Sequence, residues 1–577
     1  MSDLVERTFP NASASEFGRS LIAPGGPYAV VEEDVLGERM AVFENRPRSV
    51  LELLTAATAA HPDREYLADE DRRLTYGEHL AAVAALARIL RDEHGVEPGD
   101  RVGLCAANCI EWVIGFWAAQ AAGAVTVAMN GFWSDPEIES AVSLVEPRVV
   151  LGDAKRLNAV ARIAADVPLL EFAPGLYERI TSRGGGRESG GGLPPVPPPA
   201  EDAPALLIFT SGTTGRPKAV THSHRSVIGV VTCNRFNTLL RAGAMPASPP
   251  PASSPPASSP PASPPPAARV LVTPPLFHLS ALYGAVLMFT VTGGLLVMRP
   301  GRFGEERTMR AIESERVTVW LSLGSAAPRV AAHPARARYD LSSLASIVVG
   351  GAPMSPAVRR RLCEAFPTAA AGFRMGYTSS EGGSIVASIG GPDFAALADS
   401  TGPVQDGVQI AVRDGDGNDL PLGEEGFIHV RSAYTMLGYW NDPQATARAF
   451  GRNRWLAMGD VGRIEDGLLY VNSRAGDLIF VSAENVHPSE VEYRLDEHPD
   501  VEECAVAGID DPVTGQAVTA FVVLREGAAT TGRDLAAWCR SALPPYKVPT
   551  SWQVRTEPLP RNAAGKILRT DLLTASA

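Results

Sequence analysis

Lysine is almost missing from this sequence of 577 residues. It occurs only at Lys155, Lys218, Lys547 and Lys566, and arginine supplies the other 48 basic residues. Two of the four lysines close loops of small residues, Thr210-Ser-Gly-Thr-Thr-Gly-Arg-Pro-Lys218 and Leu559-Pro-Arg-Asn-Ala-Ala-Gly-Lys566. Lysine carries a compact ammonium, whereas arginine carries a wide planar fork. We therefore predict that Lys218 and Lys566 each place a point charge on a phosphate or on a reacting carboxylate.

The chain also lacks an excess of basic charge and a cysteine framework. Its net charge is -13, which argues against a nucleic-acid-binding surface. Six cysteines are too few for a disulfide scaffold in a chain of this length. The N-terminus has no apolar signal core. These absences predict a cytoplasmic protein that does not bind nucleic acid.

Long uninterrupted apolar runs are absent as well. The uncharged segments 112–133 and 279–298 are long enough to cross a bilayer, but polar residues and glycines interrupt both. Each is better explained as a buried helix, a glycine turn and a buried strand. We therefore predict no membrane span.

Strand-like runs alternate with helical patterns, which favours the α/β fold class. The runs are Arg101–Cys105, Val149–Leu151, Leu206–Phe209, Val270–Val272 and Ile347–Val349, and Leu80–Leu90 is typical of the helices between them. A change of pattern near Arg474–Asp477 precedes about a hundred residues with their own strands and helices. We predict a large N-terminal domain of several subdomains over 1–473, a hinge at 474–477 and a small mobile α/β domain over 478–577.

Two segments have no apolar period. Residues 184–200 are rich in glycine and proline and indicate a surface connection. Residues 244–268 are almost wholly proline, alanine and serine, so they cannot form a packed core. We predict a disordered insertion there, for which a partner-binding role remains an alternative.

The loop that ends at Lys218 has the features of a phosphate-binding loop. A buried strand over Leu206–Phe209 is followed by the loop, and a helix is predicted from about His224. Small residues allow the backbone to approach an anion closely, and a lysine can neutralise its charge. The spacing is not that of a Walker loop.

At this point the chain resembles the adenylate-forming superfamily, which contains acyl-CoA synthetases, luciferases and peptide-synthetase adenylation domains. The resemblance runs from about residue 47 to the end, except for the insertion. It implies ATP as substrate, with the β- and γ-phosphates held by Lys218 and the preceding loop. The loop residues concerned are Thr210, Ser211, Gly212, Thr213, Thr214 and Gly215.

Further motifs follow in the family's order. Gly351, Ala352 and Pro353 resemble its adenine-contacting turn. The segment Gly376-Tyr-Thr-Ser-Ser-Glu381 resembles its Gly-Tyr-Gly-x-Thr-Glu motif, with Thr378 for glycine and Ser380 for threonine. The match implies that Tyr377 stacks on adenine and that Glu381 helps to hold Mg²⁺, for which a carboxylate is a suitable ligand.

The resemblance also implies roles near the domain boundary. Asp460 accepts hydrogen bonds from the ribose hydroxyls, Arg474 lies near ribose and phosphate, and Asp477 is the hinge. Lys566 is the catalytic lysine between the carboxylate and the α-phosphate. Ser482 and Ala483 replace a Gly-Gly turn that faces the pantetheine arm in relatives.

His278, in Pro275-Leu-Phe-His-Leu-Ser280, corresponds to the wall of the family's acyl pocket. Amino-acid-activating relatives carry an aspartate there to pair with the substrate ammonium. A histidine does not supply that fixed negative charge. The substrate is therefore predicted to be an uncharged acyl or aromatic acid rather than an α-amino acid.

The predicted function is an AMP-forming ligase. It activates a small-molecule acid with Mg·ATP, holds the acyl-adenylate and passes the acyl group to coenzyme A. Three alternatives stay open: transfer to the phosphopantetheine of an acyl carrier protein, diazotase-like activation of an oxyanion such as nitrite, and a non-catalytic nucleotide-binding scaffold.

Overall fold

The structure is a computed structural model that describes residues 1–184, 192–210, 217–243, 267–301, 303–350, 354–383, 385–397, 399–481, 484–511, 514–562 and 566–574. Within these ranges the chain forms five β-sheets with helices packed around them. The predicted α/β fold class is confirmed. Across the same ranges, no helix combines the length and the apolar character needed to pass through a bilayer.

The first large sheet carries the loop that ends at Lys218. Its spatial order is Gly438–Tyr439, Lys218–Ser223, Pro204–Thr210, Val125–Ala128, Arg101–Cys105, Val149–Gly152, Leu169–Glu171. Helix Ile110–Ala121 is buried along its whole length, and Gly123, at φ 79°, turns the chain into strand Val125–Ala128. The interpretation of residues 112–133 is therefore confirmed.

The second large sheet is mostly parallel. Its spatial order is Ala387–Gly390, Arg374–Tyr377, Ser346–Gly350, Val319–Leu323, Arg269–Val272, Leu295–Val297, Glu65–Ala68, Arg73–Thr75. Residues 279–298 form helix Leu279–Ala281, the π-helical stretch Leu282–Leu287, helix Met288–Val291, a turn at Gly293 and strand Leu295–Val297. This segment also has the predicted helix, glycine turn and strand.

An antiparallel third sheet leads to the C-terminal part. Its order is Gly402–Pro403, Leu468–Arg474, Leu456–Glu465, Gly426–Arg431, Gln409–Arg413. The pairing of Val30–Val35 with Glu38–Phe43 forms a separate hairpin near the N-terminus. A 3₁₀ turn at Ala475–Asp477 follows Arg474 directly.

The small C-terminal unit has its own sheet and core. Its strands are Ile479–Val481, Glu484–Val486, Val501–Asp511, Gly515–Leu524 and Ser551–Arg555, flanked by helices Pro488–Asp496, Gly532–Arg540 and Arg569–Thr574. Ile479, Val491, Val506, Val522 and Leu535 are among the buried residues of this core. A small α/β domain with a core of its own was predicted for this region.

The other α-helices are Asp3–Thr8, Pro10–Ala14, Glu16–Ile22, Val50–Ala60, Tyr76–Asp92, Asp135–Val145, Ala154–Ile163, Pro174–Gly184, His224–Ala242, Glu305–Glu315, Ala326–Ala332, Pro356–Ala365, Asp393–Ala396 and Pro443–Ala449. Local chemistry explains their starts. Thr75 and Glu78, for example, form a capping box at the first turn of Tyr76–Asp92, which satisfies two free backbone N–H groups.

Candidate active site

Lys218 lies at the base of a β-hairpin. Strands Pro204–Thr210 and Lys218–Ser223 pair antiparallel, with Thr210 opposite Lys218. The helix predicted from about His224 is confirmed, but the strand between Lys218 and that helix was not predicted. Ser211, Gly212, Thr213, Thr214 and Gly215 lie outside the described residues. The structure thus shows the two ends of the predicted phosphate loop side by side.

Tyr439 joins Lys218 to Glu381. The Lys218 ammonium lies 5.1 Å from the centre of the Tyr439 ring, a cation–π distance. The Tyr439 hydroxyl donates to Glu381 Oε1 at 3.0 Å. Burial and the adjacent Glu381 both raise the pKa of Tyr439, so its hydroxyl remains a donor. One aromatic ring therefore holds the phosphate-loop lysine next to the predicted metal-binding carboxylate.

Asp460 is buried and bound on both oxygens. The Tyr377 hydroxyl donates to Oδ2 at 2.6 Å, and Arg474 Nε lies 2.9 Å from Oδ1. Burial raises the pKa of Asp460, while the positive charge of Arg474 opposes that rise. Each carboxylate oxygen retains a second lone pair for a ribose hydroxyl. The structure thus brings together Tyr377, Asp460 and Arg474, three of the predicted nucleotide-binding residues.

Lys566 reaches this cluster from the small domain. Its pKa is lowered, first by burial and then by the positive charge of Arg474, while Asp477 and Asp460 act in the opposite direction. Arg474, Asp477 and Asp460 are therefore among the charged groups that act on the Lys566 ammonium. The backbone N–H of Lys566 donates to Asn562 Oδ1 at 3.0 Å. Lys218 and Lys566 therefore belong to different domains, and the charges that act on Lys566 include those of Asp460 and Arg474.

The predicted adenine turn, Gly351, Ala352 and Pro353, lies outside the described residues. The chain around it is held by Arg359, whose side chain is fully buried. The Arg359 guanidinium donates to the carbonyls of Met354, at 3.2 Å, and Ser400, at 3.1 Å. It thereby connects the end of the turn to the segment that leads into the third sheet.

His278 begins the irregular helix beside the site. Its Nδ1 accepts from the Ser280 backbone N–H at 3.3 Å and lies 2.9 Å from Ser280 Oγ. Burial lowers the pKa of His278, so the ring is neutral at neutral pH. The π-helical stretch Leu282–Leu287 follows closely, and such irregularities are frequent at functional sites.

The two domains meet next to the predicted hinge. His487 Nδ1 lies 2.9 Å from Ser473 Oγ, and its Nε2 lies 3.1 Å from Glu425 Oε1. The Arg569 guanidinium lies 3.4 Å from Asp477 Oδ2. Ser482 and Ala483 lie outside the described residues. The His487 contacts join the small domain to the third sheet and its preceding segment, beside the hinge residues 474–477.

Glu381 is the candidate Mg²⁺ ligand. Among the described residues, no group of three or more His, Cys, Asp or Glu side chains could hold a metal ion by itself. Mg²⁺ is commonly bound through one or two carboxylates together with substrate phosphates. A single carboxylate beside the ammonium of Lys218 fits that mode of binding.

Tyr439 and His222 are the two neighbours of Glu381 that sequence reasoning missed. Tyr439 belongs to a two-residue strand that pairs with Val220 and Thr221 across a long stretch of chain. His222 is buried and lies 2.8 Å, through Nε2, from the Ser380 carbonyl. No spacing in the sequence indicates either contact. Strand Lys218–Ser223 is buried continuously after Lys218, so it shows no alternation that could have indicated the contact of His222.

Sequence comparison identifies the class of protein to which this fold and site belong. Residues 54–440 match the AMP-binding enzyme family, and residues 490–566 match the AMP-binding enzyme C-terminal domain. The chain belongs to the AMP-binding enzyme family. The predicted resemblance to adenylate-forming enzymes is confirmed.

Individual relatives narrow the comparison. The chain is 33% identical over 497 residues to a feruloyl-CoA synthase of an Amycolatopsis species, covering 86% of this chain and 92% of that protein. It is 28% identical over 571 residues to a long-chain-fatty-acid–CoA ligase of Bacillus subtilis, covering 91% and 94%. Among solved structures it is similar to the amide bond synthetase McbA of Marinactinospora thermotolerans, with a TM-score of 0.74, 28% identity and coverage of 92% and 100%.

Proposed function

We propose that this protein is an ATP-dependent, AMP-forming ligase that converts an uncharged acyl or aromatic acid to its coenzyme A thioester. Its curated relatives are named as CoA ligases, in agreement with the predicted function. The observation that carries the proposal is the buried Asp460 carboxylate, held by the Tyr377 hydroxyl at 2.6 Å and by Arg474 Nε at 2.9 Å, whose charge acts on Lys566 of the second domain. That arrangement brings a mobile positive charge to a bound nucleotide.

The proposed first half-reaction forms the acyl-adenylate. Lys218 neutralises the β- and γ-phosphates, and Asp460 fixes the ribose. A carboxylate and a triphosphate repel each other, so Lys566 sits between the carboxylate and the α-phosphate and offsets that repulsion. Such preorganised charge is most effective where charge develops in the transition state. Arg474 supports the same region while its Nε remains on Asp460.

Glu381 would hold Mg²⁺, which neutralises phosphate charge when bound. Tyr439 limits the rotation of this carboxylate by its hydrogen bond. The chain thus supplies one oriented oxygen ligand and leaves the remaining positions to phosphates and water. The neutral His278 ring lines the acid pocket without a fixed charge, which suits an uncharged substrate tail.

The proposed second half-reaction needs a different arrangement of the small domain. Rotation near Asp477 withdraws Lys566 and brings the 482–487 segment toward the adenylate. Hinge motions of this kind occur at element ends that absorb the backbone change. The 3₁₀ turn Ala475–Asp477, between strands Leu468–Arg474 and Ile479–Val481, is such a connection.

The acceptor requires its own test because one of the similar solved structures is an amide bond synthetase. Acyl-AMP formed in a single turnover should be offered coenzyme A, a simple amine and a holo acyl carrier protein in parallel. The proposal predicts rapid AMP release with coenzyme A. Release with the amine alone would favour an amide-forming ligase, and release with the carrier alone would favour carrier loading.

Lys566→Ala tests the adenylation step. Acid-dependent ATP–pyrophosphate exchange should be measured over aliphatic acids, aromatic acids and nitrite. Removal of one such charge costs about 10²- to 10³-fold in rate, so exchange should fall by about that factor while the unfolding midpoint stays unchanged. Lys155→Ala, at an exposed lysine of helix Ala154–Ile163, is the matched control and should retain full exchange. Full exchange by Lys566→Ala would refute the role of Lys566 in adenylation. Exchange by the unmodified protein with nitrite alone would show that its substrate is nitrite rather than an organic acid.

A further inference from the structure

His222 is a buried histidine that the proposed mechanism does not use. Its Nε2 lies 2.8 Å from the Ser380 carbonyl oxygen, and its Nδ1 lies 3.2 Å from Ser226 Oγ. Because a carbonyl can only accept, Nε2 carries the proton. Burial lowers the pKa of His222 to about 4, so the ring is neutral at neutral pH and Nδ1 carries no proton.

The Ser380 carbonyl belongs to the peptide bond that leads into Glu381. On the other side of Glu381, its own carbonyl accepts from the Met436 N–H at 2.9 Å. The backbone on both sides of this carboxylate is therefore anchored, by His222 before it and by Met436 after it. The Tyr439 hydroxyl then fixes the side chain itself. Loss of either backbone anchor lets the peptide rotate and changes the direction of the carboxylate.

Packing leaves the His222 ring little freedom. Its centroid lies 5.9 Å from that of Tyr283, edge to face, in the π-helical stretch Leu282–Leu287. On the other side, a Cβ added at Gly383 would lie only 3.2 Å from His222 Cε1. The ring is thus wedged between the irregular helix and the 376–383 segment. A side chain held this tightly can aim a hydrogen bond without rotating away.

We propose that His222 is a positioning residue, whose Nε2–H holds the Ser380 carbonyl and thereby directs the Glu381 carboxylate toward Mg²⁺ on bound ATP. The inference rests on the proposed function for the identity of the nucleotide. It assigns to strand Lys218–Ser223 two tasks at once. Lys218 at its start meets the phosphates, and His222 near its end fixes the metal ligand.

Calorimetric titration with ATP, in MgCl₂ and separately in EDTA, tests the proposal without turnover. His222→Leu removes the donor and keeps a similar side-chain volume. It should weaken binding of Mg·ATP about tenfold, because one hydrogen bond that orients Glu381 is lost. Binding of ATP in EDTA should not change. His222→Gln restores a donor at the place of Nε2 and should restore Mg·ATP binding.

Two further variants complete the test. His222→Asn places its amide at the position of Nδ1, so it should lose Mg·ATP affinity like leucine even if the leucine variant fails to fold. His79→Leu makes the same change at a buried histidine that packs against Tyr66 instead, and it should bind Mg·ATP normally. Equal weakening with and without Mg²⁺, or equal loss in the glutamine and leucine variants, would overturn the proposal. Absence of acid-dependent exchange in the unmodified protein would instead overturn the proposed function.

Discussion

Lys218 and Glu381 share one neighbour, Tyr439, which contacts them through different parts of its side chain. Its ring faces the ammonium, whereas its hydroxyl binds the carboxylate. The ring contact depends only on the aromatic face, so it survives loss of the hydroxyl. The two contributions of Tyr439 can therefore be separated by substitution.

Tyr439→Phe should lower kcat/KM for Mg·ATP about tenfold. A hydrogen bond to a charged group contributes about 1.5–3 kcal/mol, and only part of it is lost where water can enter. Tyr439→Ala should lower kcat/KM further, because the ring beside Lys218 is also removed. Initial rates at varied Mg·ATP provide the measurement. Tyr470→Phe, at a ring that packs under Arg463, is the control. Equal values for the phenylalanine and alanine variants would contradict the separation.

The resemblance to the adenylate-forming superfamily implied the roles of Tyr377, Asp460, Arg474 and Lys566, because each matches one of the family's motifs. The structure brings the side chains of Tyr377, Asp460 and Arg474 together. Tyr439 and His222 were not predicted because strand pairing, rather than local sequence, brings them to Glu381. Their contacts are determined by register, and register is a property of the folded sheet.

At the scale of elements, the sequence predicted strands and helices well where the apolar pattern is long. Helix Tyr76–Asp92 and strand Pro204–Thr210 include the predicted segments Leu80–Leu90 and Leu206–Phe209. The strand Lys218–Ser223 was missed because its lysine, threonine, histidine and serine lack a strong apolar alternation. Its partner strand supplies the hydrogen bonds that make it extended.

The connection between the domains is short and bordered by contacts on both sides. Ser489 Oγ donates to the Asn472 carbonyl at 2.6 Å, and Arg361 donates to the Asp496 carbonyl at 3.2 Å. These few polar contacts, together with His487 on Ser473 and Glu425, must break if the small domain turns. The 474–477 segment is the predicted pivot because it lies between them.

Asp477→Pro should preserve adenylate formation and slow thioester formation about tenfold or more. Proline fixes φ near −65° and so restricts a pivot more than a static turn. Rapid-quench measurement of acyl-AMP and then of thioester separates the two steps. Asp477→Asn removes the contact with Arg569 without restricting the backbone, and it serves as the control. Equal slowing of both steps by the proline variant would argue against a hinge at this position.

For the whole molecule, buried histidines set the response to acid. Burial lowers the pKa of His79 to about 3 and the pKa values of His222 and His224 to about 4. In the unfolded chain these histidines become protonated at about pH 6.5, whereas in the folded protein they stay neutral until a much lower pH. The stability that these three histidines contribute is therefore complete above about pH 6.5 and is lost as the pH drops toward 4. Asp406 acts in the opposite direction, because burial raises its pKa to about 6.

His79→Leu removes one group that binds a proton on unfolding. The slope of the unfolding free energy against pH should therefore fall by about 1.4 kcal/mol per pH unit between pH 6 and 4. Its two ring nitrogens have no hydrogen-bond partner within the described part of the chain, so leucine also removes a buried polar group. Urea unfolding at pH 7.5, 6 and 5 gives the slope. A slope identical to that of the unmodified protein would show that His79 does not titrate on unfolding.

The two large sheets are interleaved along the chain, and this order has a consequence for synthesis. In the second sheet, strand Glu65–Ala68 pairs with Leu295–Val297, which is synthesised much later. The edge of the first sheet is completed only by Gly438–Tyr439. A nascent chain leaving the ribosome therefore carries open strand edges of the second sheet until Ala387–Gly390 is available, and of the first sheet until about residue 440 is available. Pairings so distant form slowly, and unpaired edges aggregate. Slower translation or added chaperone should raise the yield of this protein more than a change of buffer after lysis.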